Sequence, residues 1–382
     1  MECTIRRSEL LAGLGTIAEA VSSRARLPVL EHARVTATES GIALVATDTE
    51  VELRTIVAAD IHQQGVITLP CHKVLSICRS LPSDATINIR LSDNGITVKS
   101  GRSRFVVHGL DPADFPIREQ DANDDSLTVP VAILRGVLEK ARQVMPQSDV
   151  RPHLNGILLK VNGAELAATA TNGHVMILAT AHIQESRITS GQWILPAKAV
   201  RALLKILAID DTGEALAHLT LSANSVTVTV GQTALRSQLI DGRYPDVKRA
   251  IPRYTPAECV TVDVDRFGLK SLVERVSLMT VPDEPRASAV ILTPEAGEIR
   301  ARAGCQDGEA VDFVDANTIV GPEGAMCDFG ANPNYCTAIL AALDTERVQI
   351  TLRDGNSGAI FYGLREGVVQ KDVLGVMMPI RV

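Results

Sequence analysis

Apolar residues occupy every second position in "INIRL" (87–91), "VTVTV" (226–230) and "VQITL" (348–352). That spacing predicts strands with one buried face. Turn residues separate such runs at Asp93-Asn94-Gly95, Asn162-Gly163 and Asp354-Gly355. Other stretches switch to helical spacing. From Ser8 to Ser23 the residues Leu10, Leu11, Leu14, Ile17, Ala18 and Val21 share one face. From Val131 to Met145 the same holds for Val131, Leu134, Val137, Leu138, Ala141, Val144 and Met145, and Val264 to Met279 follows suit.

These patterns recur in order. "ATDTEVELR" (46–54) returns as "ATNGHVMIL" (170–178). "LPCHKVLSICRSL" (69–81) returns as "LPAKAVRALLKIL" (195–207), and "SDNGITVKSG" (92–101) as "SANSVTVTVG" (222–231). The offsets run from 124 to 130 residues. A fainter third copy carries "NYCTAILAAL" (334–343) and "RVQITLRDGNSGAIF" (347–361). Three units of roughly 125 residues are implied. That is too long for a solenoid repeat, and each unit is large enough to be a domain. Each reads as α+β, with two helices and about eight antiparallel strands.

Composition narrows the chemistry. Of 382 residues 46% are hydrophobic but only 3% aromatic, so the cores are built from Leu, Ile, Val and Ala. Seven cysteines, without a CxxC pair or Cys/His cluster, point away from a disulfide framework or a zinc site and fit a reducing cytoplasm. "MECTIRRSELLAGLG" lacks the apolar run of a signal peptide, and no stretch approaches the ~18 apolar residues of a membrane span. No GxxxxGK[ST], HExxH or GxSxG motif occurs, and His174 has no paired nucleophile in any motif. No catalytic residue, metal or cofactor is therefore expected.

The formal charge is −7, yet the predicted helices are basic. Lys198, Arg201 and Lys205 stand at i, i+3 and i+7 with no acid between them. Lys73 and Arg79 lie on the corresponding helix of the first unit, again without an acid. Arg135, Lys140 and Arg142 accompany one Glu139, and Arg266, Lys270 and Arg275 accompany Asp265 and Glu274. Singly, such residues are ordinary solvated helix positions. Recurring on corresponding helices, they suit phosphate contacts that give affinity without reading sequence.

The segments "LPVLEHARVTATESGIALVATDTEVEL", "SGRSRFVVHGLDPADFP", "RPHLNGILLKVNGAELAATATNGHVMI", "LIDGRYPDVKRAIP" and "VMMPIRV" together closely resemble the bacterial sliding clamps, the beta subunits of DNA polymerase III. The resemblance spans essentially the whole chain. It implies three tandem clamp domains, at 1–121, 126–250 and 254–382, with two chains joined head to tail into a closed ring. It implies a non-catalytic processivity factor of the cytoplasm, associated with the nucleoid, that encircles double-stranded DNA and slides on it. The implied partners are a second copy of the chain, the polymerase alpha subunit, the clamp-loader complex, and other polymerases and repair proteins carrying a clamp-binding peptide.

Matched residue by residue, the resemblance implies a peptide pocket formed by Leu154, Thr171, Gly173, His174, Val175, Met176, Pro245, Arg249, Val376, Met377, Met378, Pro379, Ile380 and Arg381. Asn332 and Tyr335 stand at its edge. It implies DNA contacts from Arg24, Lys73, Arg79, Lys198 and Arg201, joined by Lys205 of the same stripe and by the loop with Ser148, Pro152 and His153. It implies a dimer contact through Lys73, Phe105, Leu278 and Met279.

The chain also departs from the family pattern. The usual Thr-Asp-Gly-His-Arg-Leu is here Thr171-Asn172-Gly173-His174-Val175-Met176. The two aromatics usual after Arg151 are Pro152 and His153, and the preceding Gln is Ser148. These changes touch the peptide pocket and the DNA loop. They leave open an alternative: a divergent clamp paralogue acting mainly as a peptide-binding scaffold for replication and repair proteins.

Overall fold

The computed structural model describes residues 1–381 apart from 23–25, 118–124, 185–187, 189, 209–212, 282–287 and 321–326. Its α-helices are α1 (Arg7–Ile17), α2 (Cys71–Ser80), α3 (Val131–Arg142), α4 (Ala197–Leu207), the single turn α5 (Val247–Ala250), α6 (Arg266–Val276) and α7 (Pro333–Ala342). The helical pattern predicted over 8–23 divides into α1 and a 3-10 turn, Ala18–Ala20. The one predicted from Val264 starts two residues later. Asp265 is its cap, its carboxylate accepting from the Gly268 amide at 2.6 Å, so the strand Val260–Asp265 runs up to the helix.

The chain packs as two compact units. The first comprises Met1–Arg135, Ser186–Ile188 and Lys198–Leu239. It holds a five-stranded sheet in the order Asp60–Gln63, Glu2–Arg6, Thr86–Ser92, Gly95–Ser100, Ser103–Val107. It also holds an eight-stranded sheet: Asp125–Pro130, Leu216–Leu221, Ser225–Val230, Thr233–Gln238, Val51–Val57, Gly41–Thr47, His32–Thr38, Gly65–Pro70. Helix α1 lies on the strands Gly41–Thr47 and Val51–Val57 and buries Leu10, Leu14 and Ile17 completely. Each such side chain contributes about 1.5–3 kcal/mol. Gly13 permits the close approach, since a Cβ there would stand 2.7 Å from both Leu44 and Val57 side chains.

The second unit comprises Gly136–Glu185, Thr189–Ala197 and Ile240–Val382. Its twelve-stranded sheet runs Ser190–Pro196, Gly156–Asn162, Glu165–Thr171, Val175–His182, Val368–Met377, Ala359–Arg365, Arg347–Leu352, Val260–Asp265, Gly308–Val320, Glu298–Cys305, Val290–Glu295, Phe329–Ala331. Helix α7 sits on the strand Val368–Met377 at Gly375, where a Cβ would come within 2.4 Å of Ile339 Cγ2.

In both units a sheet passes from one sequence repeat into the next. Thr233–Gln238 pairs antiparallel with Val51–Val57, setting buried Leu235 opposite buried Leu53. Val175–His182 pairs antiparallel with Val368–Met377, setting Met176 opposite Val376. The second repeat is thereby shared between the two units.

The most similar sequence segments fold into matching hairpin turns. In the first, Asp48 Oδ1 accepts from the amides of Glu50 (3.0 Å) and Val51 (2.7 Å). In the second, Asn172 Oδ1 accepts from the amides of His174 (2.9 Å) and Val175 (3.0 Å). Thr47 donates to the Val51 carbonyl at 3.0 Å, and Thr171 donates to the Val175 carbonyl at 2.7 Å. The next residue is left-handed in both, Thr49 at φ 81° and Gly173 at φ 87°. One oxygen of the Asp or Asn side chain fixes the turn, as Asx turns do, and its other atom is left to point outward.

Candidate functional site

Those outward atoms reach the helices that carry candidate chemistry. In the first unit Asp48 Oδ2 forms an ion pair with Lys198, in the first turn of α4. In the second unit Asn172 Nδ2 donates to the Tyr335 hydroxyl at 2.9 Å, in the first turn of α7. Asn332 caps α7 by accepting from the amides of Asn334 and Tyr335, so its side chain holds the helix start.

Helix α4 buries Ala197, Ala199, Val200, Ala202, Leu203, Leu204, Ile206 and Leu207. The residues left on its surface are Lys198, Arg201 and Lys205, so its whole exposed stripe is cationic. Lys205 is ion-paired with Glu19. On α2 the exposed stripe is His72, Lys73, Ser76, Arg79 and Ser80. Lys73 and Arg79 have no carboxylate within ion-pair distance among the described residues. Arg24 lies outside the described residues.

Three predicted helix cations are engaged elsewhere. Lys140 is bracketed by Asp344 (2.6 Å) and Asp372 (3.5 Å), its side chain only 19% exposed. Arg266 donates to the carbonyls of Leu340 (3.0 Å) and Thr345 (2.5 Å), tying α6 to the end of α7. Arg275 pairs with Asp312 at 2.7 Å.

The second unit holds a cavity of about 400 Å³. Ten of the predicted pocket residues line it: Leu154, Thr171, Gly173, His174, Val175, Met176, Pro245, Arg249, Val376 and Met378. Its other lining residues are Arg151, Tyr244, Val247 and Ala250. No carboxylate is among them. The walls are apolar, with Arg151, His174 and Arg249 as basic groups. Burial pushes the Tyr244 phenol up, and its hydroxyl donates to the Thr169 carbonyl at 3.3 Å.

Six predicted pocket residues do not line the cavity. Met377 is fully buried in the core, while Pro379, Ile380 and Arg381 lie beyond the rim. The tail is nonetheless fixed: the Met378 amide donates to the His174 carbonyl at 2.7 Å and the Ile380 amide to the Gly330 carbonyl at 2.8 Å. Asn332 and Tyr335 connect to the pocket through Asn172.

The loop expected to reach DNA also serves this cavity. Arg151 donates to both Asp149 oxygens (2.9 Å each) and to the Asn172 carbonyl (2.7 Å). Those hydrogen bonds hold the Asp149 carboxyl down at about 2. Ser148 and Pro152 are exposed, and His153 is half-buried beside Gly242. Tyr244 directly precedes the predicted Pro245, and Val247 opens α5 two residues after it.

Two sheet edges carry exposed apolar groups, one in each unit. Among the described residues Ser103–Val107 pairs only with Gly95–Ser100, and it holds half-buried Phe105 and exposed Val106. In the strand Gly308–Val320 the part Gly308–Asp315 pairs, among the described residues, only with Glu298–Cys305, and it exposes Val311 and Phe313. Met279 is half-buried, whereas Leu278 is 82% exposed.

The N-terminal domain of the DNA polymerase III beta subunit family matches residues 1–119 and its central domain residues 128–246. The chain belongs to the DNA polymerase III beta subunit family. It is 32% identical to the beta sliding clamp of Vibrio cholerae and 30% identical to that of Escherichia coli K12, over 382 residues and the full length of each protein. Among solved structures it resembles a sliding clamp of Pseudomonas aeruginosa bound to griselimycin (TM-score 0.91, 30% identity) and one of Caulobacter crescentus (TM-score 0.88, 27% identity), each covered completely. A Bacillus subtilis clamp at 22% identity shares the fold with TM-score 0.91. The α+β architecture with antiparallel sheets is that of this family, whose members are processivity factors.

Proposed function

We propose that the chain is a DNA polymerase III sliding clamp that dimerises into a ring, encircles duplex DNA and slides on it without reading sequence. The observation that carries this reading is the surface of α4: a helix whose every non-buried residue is a cation, in a chain of net charge −7. A closed ring stays on DNA by topology, so weak phosphate contacts suffice. The three domains are assigned to 1–121, 126–250 and 254–382. Arg24, Lys73, Arg79, Lys198, Arg201 and Lys205, with the loop at Ser148, Pro152 and His153, face the duplex. Basic helices within an acidic chain concentrate attraction where the duplex passes.

The cavity beside His174 takes the anchoring side chains of a clamp-binding peptide from the polymerase alpha subunit, the loader or a repair protein. Its apolar walls and Met378 provide adaptable contact area. The two one-sided edges, with Lys73, Phe105, Leu278 and Met279 and with Val106, Val311 and Phe313 added, form the head-to-tail contact between copies. The protein works in the cytoplasm, on the nucleoid.

Retention on closed circular DNA tests the ring. The loaded protein is retained on the circle and lost when the circle is linearised; equal retention on both overturns the reading. A second reading, a divergent clamp acting mainly as a peptide scaffold, is favoured by Val175 in the pocket wall and by Pro152 and His153 in the loop. Sedimentation at micromolar concentration separates the two, a persistent monomer supporting the scaffold.

A further inference from the structure

We infer that Asp48 and Glu19 set how strongly the protein grips DNA, by competing with phosphate for Lys198 and Lys205. The inference rests on the reading that the exposed stripe of α4 faces DNA.

The two matching hairpins supply the argument. Asp48 fixes its turn with Oδ1 alone, through the amides of Glu50 and Val51. Asn172 makes the equivalent two bonds in the second hairpin with no charge. The turn therefore needs an oxygen and not a carboxylate. The negative charge at Asp48 acts through Oδ2, and its partner is Lys198. The Asp48 side chain is 13% exposed and that of Lys198 33%, so this pair is better shielded from water than most surface pairs. Lys205–Glu19, at 63% and 36%, is the looser of the two.

A lysine that takes a phosphate must leave its carboxylate. The carboxylate then regains solvent and counter-ions, which offsets the counter-ions that the phosphate releases. Each such contact is weaker, and less salt-dependent, than one made by an unengaged cation. On α2, Lys73 and Arg79 face no such competitor among the described residues. The stripe of α4 is thus a self-screened surface, suited to a protein that must move along what it touches.

The test is anisotropy titration of a short fluorescent duplex with the full chain across a salt series. The variants are Asp48→Asn, Glu19→Gln, Lys198→Ala and Asp48→Asn/Lys198→Ala. Asn172 already serves in the equivalent turn, so Asp48→Asn keeps the fold, and an unchanged thermal midpoint verifies this. We expect Asp48→Asn to bind about threefold tighter at low salt, with a log–log salt slope steeper by about one. Glu19→Gln acts in the same direction and less. In the Lys198→Ala background the Asp48→Asn gain disappears. If Lys198→Ala weakens binding while Asp48→Asn matches the parent in affinity and slope, the competition is refuted and the α4 reading stands. If Asp48→Asn lowers both the thermal midpoint and DNA affinity, the pair is a structural tie and the inference is again refuted. If neither variant changes binding, the DNA-facing assignment of α4 falls with it.

Discussion

The Asn172 side-chain amide donates to the Tyr335 hydroxyl at 2.9 Å, across 163 residues of sequence. The same side chain closes the turn that presents His174 and Val175 to the cavity. Asn172→Ala removes an acceptor from two amides and the donor to Tyr335, at a cost of about 1–3 kcal/mol. Tyr335→Phe removes one hydrogen bond, about 0.5–1.5 kcal/mol. Denaturant unfolding should rank the two in that order, and peptide affinity should fall with Asn172→Ala.

Gly173→Ala should be costly for a reason its twin position lacks. Thr49 shows that this turn tolerates a side chain at positive φ. At Gly173 a Cβ would stand 3.1 Å from Arg151 Nη1. The backbone part costs roughly 1 kcal/mol. Displacement of Arg151 should lower peptide affinity as well, and Arg151→Ala/Gly173→Ala should be less than additive in a double-mutant cycle of binding.

The Arg151–Asp149 pair gives the pocket loop an acid-resistant hold. Asp149 titrates at about 2 when folded, below the ordinary carboxylate value of 3.8. Its contribution is present above the ordinary value and is lost as pH falls through about 2. Peptide binding should therefore persist at pH 4–5 as far as this loop is concerned. Asp149→Asn should weaken binding equally at pH 5 and pH 7; a loss seen at pH 7 and absent at pH 5 would count against the assignment.

Deleting Met378–Val382 should abolish peptide binding and leave the oligomer intact. Met378 lines the cavity, whereas Met377 keeps its place in the core. Full peptide affinity in the truncated chain would remove the tail from the site.

Leu278→Asp should leave unfolding stability within about 0.5 kcal/mol, because the side chain is 82% exposed. It should shift sedimentation from dimer to monomer. A dimer unaffected by this change would mean that the contact lies elsewhere.

Much of this was legible in the sequence because it depends on local periodicity. The repeated segments that carry the two hairpins, the presence of α1, α3 and α6 and the cationic stripe of α4 all follow from short-range spacing in the sequence. What was not legible depends on partners far along the chain. Nothing near Lys140 announces Asp344 and Asp372, and nothing near Arg266 announces the carbonyls of Leu340 and Thr345. Arg151 belongs to a loop for which the family resemblance implied DNA contacts, and its guanidinium turns to Asp149 and Asn172. The joining of Val51–Val57 to Thr233–Gln238 likewise depends on partners distant in sequence, among them the Thr55 and Thr233 hydroxyls at 2.9 Å.

The Asx hairpin has a bearing on how such a chain diversifies. One atom of Asp48 or Asn172 is committed to its own backbone and is conserved in role between the copies. The other is unconstrained by the turn, and it has acquired an ammonium in one copy and a phenol in the other. A gene that duplicates such a hairpin inherits a fixed scaffold with a replaceable connector, so a single Asp/Asn exchange rewrites what the connector accepts without redrawing the backbone.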